Sequence, residues 1–166
     1  MMEEQVYVIT MLVLNKPSVT SRITGLFSGR GYNMESICGA PTHDPNISRI
    51  TIKTKATPKI FIEIQAQLNR LIDVVKLRDM TSEEKAVKRE MALVSVKGSE
   101  DLQKELIELV SSSNAKTISA GADSIIFEIT GTEVEVDELI EKLAPFGIKK
   151  LARSGILALY RDLEEA

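Results

Sequence analysis

Apolar and polar positions along this chain switch between two periods in a repeating order. Val6–Leu14 (VYVITMLVL) is a near-continuous apolar run rich in β-branched residues, the composition of a strand. From Ser18 onward Val19, Ile23, Leu26 and Phe27 fall at i, i+4, i+7 and i+8, one face of a helix. Gly29 and Gly31 supply its stop, since glycine takes the left-handed conformation at low cost. Tyr32–Pro41 and Ser48–Lys55 read as strands joined by a hairpin loop holding Asp44-Pro45-Asn46, a turn-forming sequence. Thr57 then caps a helix with Pro58 at its first position and Phe61, Ile64, Leu68 and Leu71 as its stripe. Asp73–Arg78 closes the unit as a short strand.

Asp79–Lys88 (DMTSEEKAVK) is polar and charged, which sets a linker at 80–88. Beyond it the order repeats. Met91–Val96 is a strand, and Ser99 caps a helix carrying Leu102, Leu106, Leu109 and Val110. Lys116–Ala120 and Ser124–Thr130 are strands around a turn at Gly121-Ala122-Asp123. Thr132-x-x-Glu135 is a capping box for a helix with Val136, Leu139, Ile140 and Leu143. Gly147 ends that helix, and Ile148–Leu159 returns as one or two strands. Both halves follow β-α-β-β-α-β, so the fold class is α+β: two tandem ferredoxin-like (βαββαβ) domains, 1–79 and 89–166.

In such a fold helices cover one sheet face, so strands should alternate apolar and polar. Ile50, Thr51, Ile52 and Lys53 do so. Val6–Leu14 does not, with Val6, Val8, Leu12 and Leu14 on one side and Tyr7, Ile9, Met11 and Val13 on the other. A large uncovered apolar patch is unusual on a monomer. The second face calls for cover from another domain or subunit, and an oligomer is the expected state.

With 43% hydrophobic and 27% charged residues, the 166-residue chain has the apolar content for two small cores and is not disordered. No apolar run reaches the ~18 residues of a membrane helix. The acidic opening MMEEQVYV lacks the basic-then-apolar order of a secretory signal. One cysteine, Cys38, excludes an intramolecular disulfide and fits a reducing cytoplasm. One histidine, His43, excludes a multi-histidine metal site. A net charge of −3 argues against general nucleic-acid binding. Residues 1–80 carry ten Lys/Arg against seven Asp/Glu, and residues 81–166 eleven against seventeen, so the halves are +3 and −6. That asymmetry agrees with two modules.

Most reactive-looking groups have plain structural readings. Gly29-Arg30-Gly31 follows a helix and has Met34 where a dinucleotide fingerprint needs its third glycine, so it reads as a cap. Cys38 and His43 lack further soft ligands, and a zinc site would have to recruit carboxylates such as Asp44. The pairs Glu3-Glu4, Glu83-Glu84 and Glu164-Glu165 read as solvated charge. An RNA-recognition domain shares the element order but needs stacking aromatics, which Tyr7 alone does not supply. The loop Leu14-Asn15-Lys16-Pro17-Ser18 is different. It delivers a strand end to a helix N-terminus, where unpaired amides and the macrodipole favour a carboxylate. Asn15 and, past the glycine turn, Asn33 add amides able to donate and accept, which suits a zwitterion. Each also reads as an ordinary turn residue.

The string NKPSVTSRITGLFSGRGYNMESI at 15–37 resembles the opening of the regulatory small subunits of acetolactate synthase, also called acetohydroxyacid synthase. The resemblance continues through APTHDPNISRITIKT (40–54), VKREMALVSV (87–96) and KLARSGILAL (150–159), nearly the whole chain in order. R-G-Y-N-x-E-S and the late A-R-S-G are its most specific parts. The resemblance implies that 1–79 is an ACT domain, for amino-acid binding and dimerisation, and that 89–166 is a C-terminal regulatory domain. It further implies a non-catalytic, cytoplasmic subunit without cofactors of its own. Its partner would be a catalytic large subunit using thiamine diphosphate, magnesium and FAD. The small subunit would raise that activity and confer feedback inhibition by valine, leucine or isoleucine. The effector would lie where two ACT domains of a homodimer meet, contacting Asn15, Pro17, Ser18 and Val19, with Asn33 and Met34 from the neighbouring subunit and Ala40 lining the contact. The family tends to place glycine where Ser18 stands.

Three other classes compete. A stand-alone tandem-ACT sensor would bind an amino acid without an enzyme partner. An acylphosphatase-like enzyme wants an arginine-bearing glycine loop after the first strand, where this chain has NKPS. A metal-responsive regulator would use the second domain.

Overall fold

Gln5–Leu14 forms strand β1, whose aliphatic run places it inside a sheet and not at an edge. The computed structural model describes residues 3–98, 100–111 and 113–161. After β1 come α1 (Val19–Gly29), β2 (Ser36–Pro41), β3 (Ile47–Ala56), α2 (Pro58–Leu68) and β4 (Val74–Asp79). They make an antiparallel sheet in the order β2-β3-β1-β4, with β2 at one edge. Ile9 faces Ile52 and Met11 faces Ile50, so the odd residues of β1 share a face with the even residues of β3. Onto that face α1 brings Val19, Ile23 and Phe27, and α2 brings Phe61, Ile64 and Leu68. Tyr7 belongs to this core, stacked on Phe61 with ring centroids 3.7 Å apart, so it offers no exposed platform for a base.

The strand expected from Tyr32 begins only at Ser36. Residues 32–35 are spent on finishing α1: Gly31 takes φ +70°, and the Tyr32 amide donates to the Phe27 carbonyl. The Thr54 hydroxyl then donates to the Asn33 carbonyl at 2.5 Å. Leu71 lies beyond the end of α2 but still packs against the core.

The second sheet contains β5 (Ala86–Lys97), β6 (Ala115–Ala120), β7 (Ser124–Gly131) and β8 (Ile148–Arg153) in the order β6-β7-β5-β8. Its helices are α3 (Glu100–Ser111) and α4 (Glu133–Leu143). Val94, Val96, Ile125 and Phe127 meet Leu106, Val110, Val136 and Leu139 in its core. The expected cap at Ser99 lies outside the described residues. The capping box of α4 is formed: the Glu135 amide donates to the Thr132 hydroxyl and the Thr132 amide donates to the Glu135 carboxylate. The Thr132 backbone amide first, and then the Thr132 hydroxyl, both donating to the carboxylate, hold the Glu135 carboxyl below its usual range. A lowered carboxyl contributes stability above its unfolded pKa and loses it as pH falls through the folded value. Thr132→Ala is expected to cost about 1 kcal/mol near neutral pH. Urea titrations at several pH values should show that difference shrinking in acid, and a constant difference would remove the carboxylate from the account.

Two antiparallel α+β sheets in this element order are the tandem ferredoxin-like fold read from the sequence. The seams differ. The compact units are Met1–Val87 together with Ile156–Ala166, and Lys88–Gly155. Residues 80–88, expected as a linker, are partly packed, because Met80 and Ala86 are buried with Val8, Ile156 and Ala158. Gly155, at φ +76°, separates β8 from a last strand, β9 (Leu157–Tyr160), which pairs with β5. Part of the second face of β1 is thus covered by the chain itself. Nearby on that face, the buried hydroxyls of Thr10 and Thr51 bond to each other at 2.9 Å. Val6 stays exposed, and Leu12 and Leu14 are half-buried.

Candidate functional site

The end of β1 is held before α1 begins. The Leu14 amide donates to the Asp73 carbonyl, and the Asn15 amide to the Asn46 carbonyl at 2.7 Å. The Asn15 side chain donates from Nδ2 to the Pro45 carbonyl at 2.9 Å. The hairpin turn thereby fixes the rotamer of Asn15 and leaves its Oδ1 as an acceptor. The Arg22 guanidinium, one turn into α1, pairs with the Asp73 carboxylate.

Ser18 is the residue before α1, and its side chain makes no capping bond. The Val19 amide reaches the Lys16 carbonyl at 3.5 Å. Among the described residues, the Thr20 and Ser21 amides donate to no acceptor. They are free helix-opening donors, the arrangement that receives an anion.

Beside them lies a cavity of about 390 Å³ lined by Asn15, Thr20, Ile37, Gly39, Ala40, Pro41, Ser48 and Ile50. Its floor is the helix-facing side of the β2–β3 pair, where Gly39 faces Ile50 and Pro41 faces Ser48. Ala40 faces Arg49 and so belongs by alternation to the opposite side, meeting the cavity at the strand edge. No lining residue carries a formal charge. Neutral dipoles on one side and aliphatic groups on the other suit a small zwitterion with an apolar tail. The volume is at the small end of the ~300–1,000 Å³ of ligand pockets.

Of the expected site residues, the structure gathers Asn15 and Ala40 at the cavity, with Pro17 and Ser18 in the loop beside it. Val19 is buried in the core, and its amide is turned to the Lys16 carbonyl. Asn33 and Met34 do not line the cavity: the Asn33 side chain is exposed, and Met34 packs against the core. Thr20, Ile37, Gly39, Pro41, Ser48 and Ile50 are lining residues that the sequence reading missed. All but Thr20, which is on α1, are alternate positions of two strands joined by one hairpin, brought together by the β2–β3 register. Gly29-Arg30-Gly31 is a helix end, and His43 is exposed in the hairpin loop. Among the described residues no three His, Cys, Asp or Glu side chains are grouped to hold a metal ion. No helix there is long and apolar enough to cross a membrane.

Ser18 has φ +71°, the only non-glycine residue among those described with positive φ. That conformation costs an L-residue roughly 1–2 kcal/mol, offset in part by the greater unfolded freedom of glycine, about 0.5–1 kcal/mol. This is a physical reason for glycine at the position. Ser18→Gly is expected to raise stability by about 0.5–1 kcal/mol, read as a higher urea midpoint at unchanged slope. A lower midpoint would mean that the serine hydroxyl contributes more than the strain removes.

Residues 9–76 match the family model described as an AHAS small subunit-like ACT domain, and residues 89–162 match the one for the small subunit of acetolactate synthase. A probable acetolactate synthase small subunit from Archaeoglobus fulgidus is 37% identical over 155 residues, covering 93% of this chain and 96% of that protein. The chain belongs to the acetolactate synthase small-subunit family. The Bacillus subtilis acetolactate synthase small subunit is 36% identical over 159 residues, 95% of this chain and 92% of that one. The crystal structure of an acetolactate synthase small subunit from Thermotoga maritima superposes with a TM-score of 0.87 at 34% identity, covering 95% of this chain and 98% of that one. As in that family, the first domain is an ACT domain.

Family membership also gives a use to two strings that bear on no ligand. Within Lys88–Gly155, Arg153 reaches back to β5 and donates to both carboxylate oxygens of Glu90, at 3.0 and 2.5 Å, and to Asp137 at 2.6 Å. The Met91 amide donates to the Ser154 hydroxyl at 3.0 Å. The K-R-E-M and A-R-S-G segments of this acetolactate synthase small-subunit relative are one structural joint.

Proposed function

We propose that this chain is the non-catalytic regulatory subunit of a cytoplasmic acetolactate synthase, holding a free branched-chain amino acid at the opening of α1. The observation that carries the reading is the cavity where Asn15 and Thr20, with its unpaired amide, stand over an aliphatic floor, in a chain related along nearly its whole length to acetolactate synthase small subunits. The effector carboxylate takes the helix amides, its ammonium takes Asn15 Oδ1, and its side chain lies on Ile37 and Ile50. Two ACT domains pair at the free edge of β2, and the neighbouring copy brings Asn33 and Met34 to the open side of the cavity. The partner is the large subunit, which carries thiamine diphosphate, magnesium and FAD and condenses two pyruvates, or pyruvate with 2-oxobutyrate. This chain binds none of these groups and raises that activity. Valine, leucine or isoleucine lowers it again through a coupling free energy of about 1–3 kcal/mol between effector site and subunit interface.

The test is acetolactate formation by the catalytic subunit of the same organism, with and without this chain, across valine, leucine and isoleucine titrations. Stimulation reversed by one of them supports the reading. Two folded proteins that neither associate nor alter the rate would overturn it, and amino-acid binding would then favour a stand-alone sensor.

A further inference from the structure

The cavity floor has a gap at its centre. Ile37, Gly39 and Pro41 lie on one face of β2, and the middle one has no side chain. A Cβ built on Gly39 would stand 3.3 Å from Cγ1 of Ile50 and 3.7 Å from the Arg49 carbonyl oxygen. Gly39 is not in the left-handed region, so no turn requires glycine here. The 3.3 Å approach is nonetheless tighter than ordinary packing, and Ile50 would have to give way by a few tenths of an ångström to a methyl group at 39. Strands disfavour glycine for want of a packed side chain, and in a strand it often marks a close approach by another group. The space over Gly39 is bounded by the Ile50 side chain, which is 4% exposed, and opens toward Ile37 at 38% exposure.

Resting on the proposed amino-acid site, we infer that the notch at Gly39 sets effector choice by size. It receives the far end of a branched side chain, so the site prefers leucine or isoleucine to valine and rejects shorter side chains for want of contact. Gly39 and Ile37 are specificity-determining positions with opposite leverage. A Cβ at 39 shortens the notch, and truncation at 37 widens its mouth without touching the buried core.

Calorimetric titration of the full-length chain with alanine, valine, leucine and isoleucine tests this, using wild type, Gly39→Ala and Ile37→Ala. Wild type should bind leucine or isoleucine most tightly. Gly39→Ala should weaken the larger ligands about ten-fold relative to valine, the scale of one displaced methylene. Ile37→Ala should shift relative affinity the other way, toward leucine and away from valine. Cooperative thermal midpoints well above the titration temperature would show both variants folded. Both variants scaling all four ligands by a common factor, or a wild type that prefers valine and keeps that order in Gly39→Ala, would overturn the size notch and leave the amino-acid site standing. A wild type that binds none of the four would overturn the site itself and the notch with it.

Discussion

Asn15→Ala is expected to weaken branched-chain amino-acid binding about ten- to hundred-fold, because a hydrogen bond to a charged partner contributes roughly 1.5–3 kcal/mol. Asn15 is exposed at the cavity rim, yet its orientation is fixed, since Nδ2 is committed to the Pro45 carbonyl and Oδ1 is left for the ligand. No lining side chain offers an anion to the ammonium group, so Oδ1 has no ionic substitute. Asn15→Asp separates the two roles of the amide. It keeps an oxygen toward the ammonium but forfeits the bond to Pro45 and places a negative charge near the effector carboxylate. Alanine should shift the effector titration of the holoenzyme to higher concentration while leaving its stimulated rate without effector unchanged. Binding unchanged in Asn15→Ala would remove this residue from the site.

Arg153→Ala is expected to destabilise the second unit by about 2–3 kcal/mol. Removing one member of a buried pair costs about 3–5 kcal/mol because the other charge is left uncompensated. The Arg153 side chain is 32% exposed, so water recovers part of that, but Glu90 is only 5% exposed. The hydrogen bonds that the guanidinium donates to Glu90 hold it protonated further above its ordinary range. A group raised in this way keeps its contribution everywhere below its unfolded pKa. The arginine side of the effect should therefore be flat from acid to moderately alkaline pH. Replacing both partners, Glu90→Leu with Arg153→Met, should recover much of the loss, since an apolar pair leaves no orphaned charge. Urea titration of the three variants measures this, and a loss under 1 kcal/mol in Arg153→Ala would mean that water fully solvates Glu90.

The element order was legible because hydrophobic period and turn chemistry agreed at nearly every junction. Thr57-Pro58 and Thr132-x-x-Glu135 cap helices as read; α4 itself stops at Leu143, and Gly147, at φ +85°, ends the 3-10 turn Ala144–Phe146 that follows it. The errors fall where one residue has two competing uses. Tyr32 and Met34 look like strand residues by composition, but the chain there is still closing α1 and packing beneath it. Met80 and Ala86 are isolated apolar positions in a charged segment, and nothing local announces that Ile156 and Ala158, some 70 residues later, will cover them. The cavity was only partly legible for a similar reason. Asn15 announces itself by its place between a strand and a helix. Ile37, Gly39 and Ile50 become neighbours only through the β2–β3 register, and an apolar residue facing a ligand has the same sequence signature as one facing the core.

The return of β9 makes the two units nested. Lys88–Gly155 is one uninterrupted stretch, and its ends are adjacent, with Ala92 paired to Arg153 and Met91 bonded to Ser154. A module whose ends meet can sit within the sequence of another without stretching its host. During synthesis, domains fold as their residues become available. The inner module has all of its chain before residues 156–160 appear, while Val8, Met80 and Ala86 wait for Ile156 and Ala158 to close over them. The domain that begins first in this protein is therefore completed last.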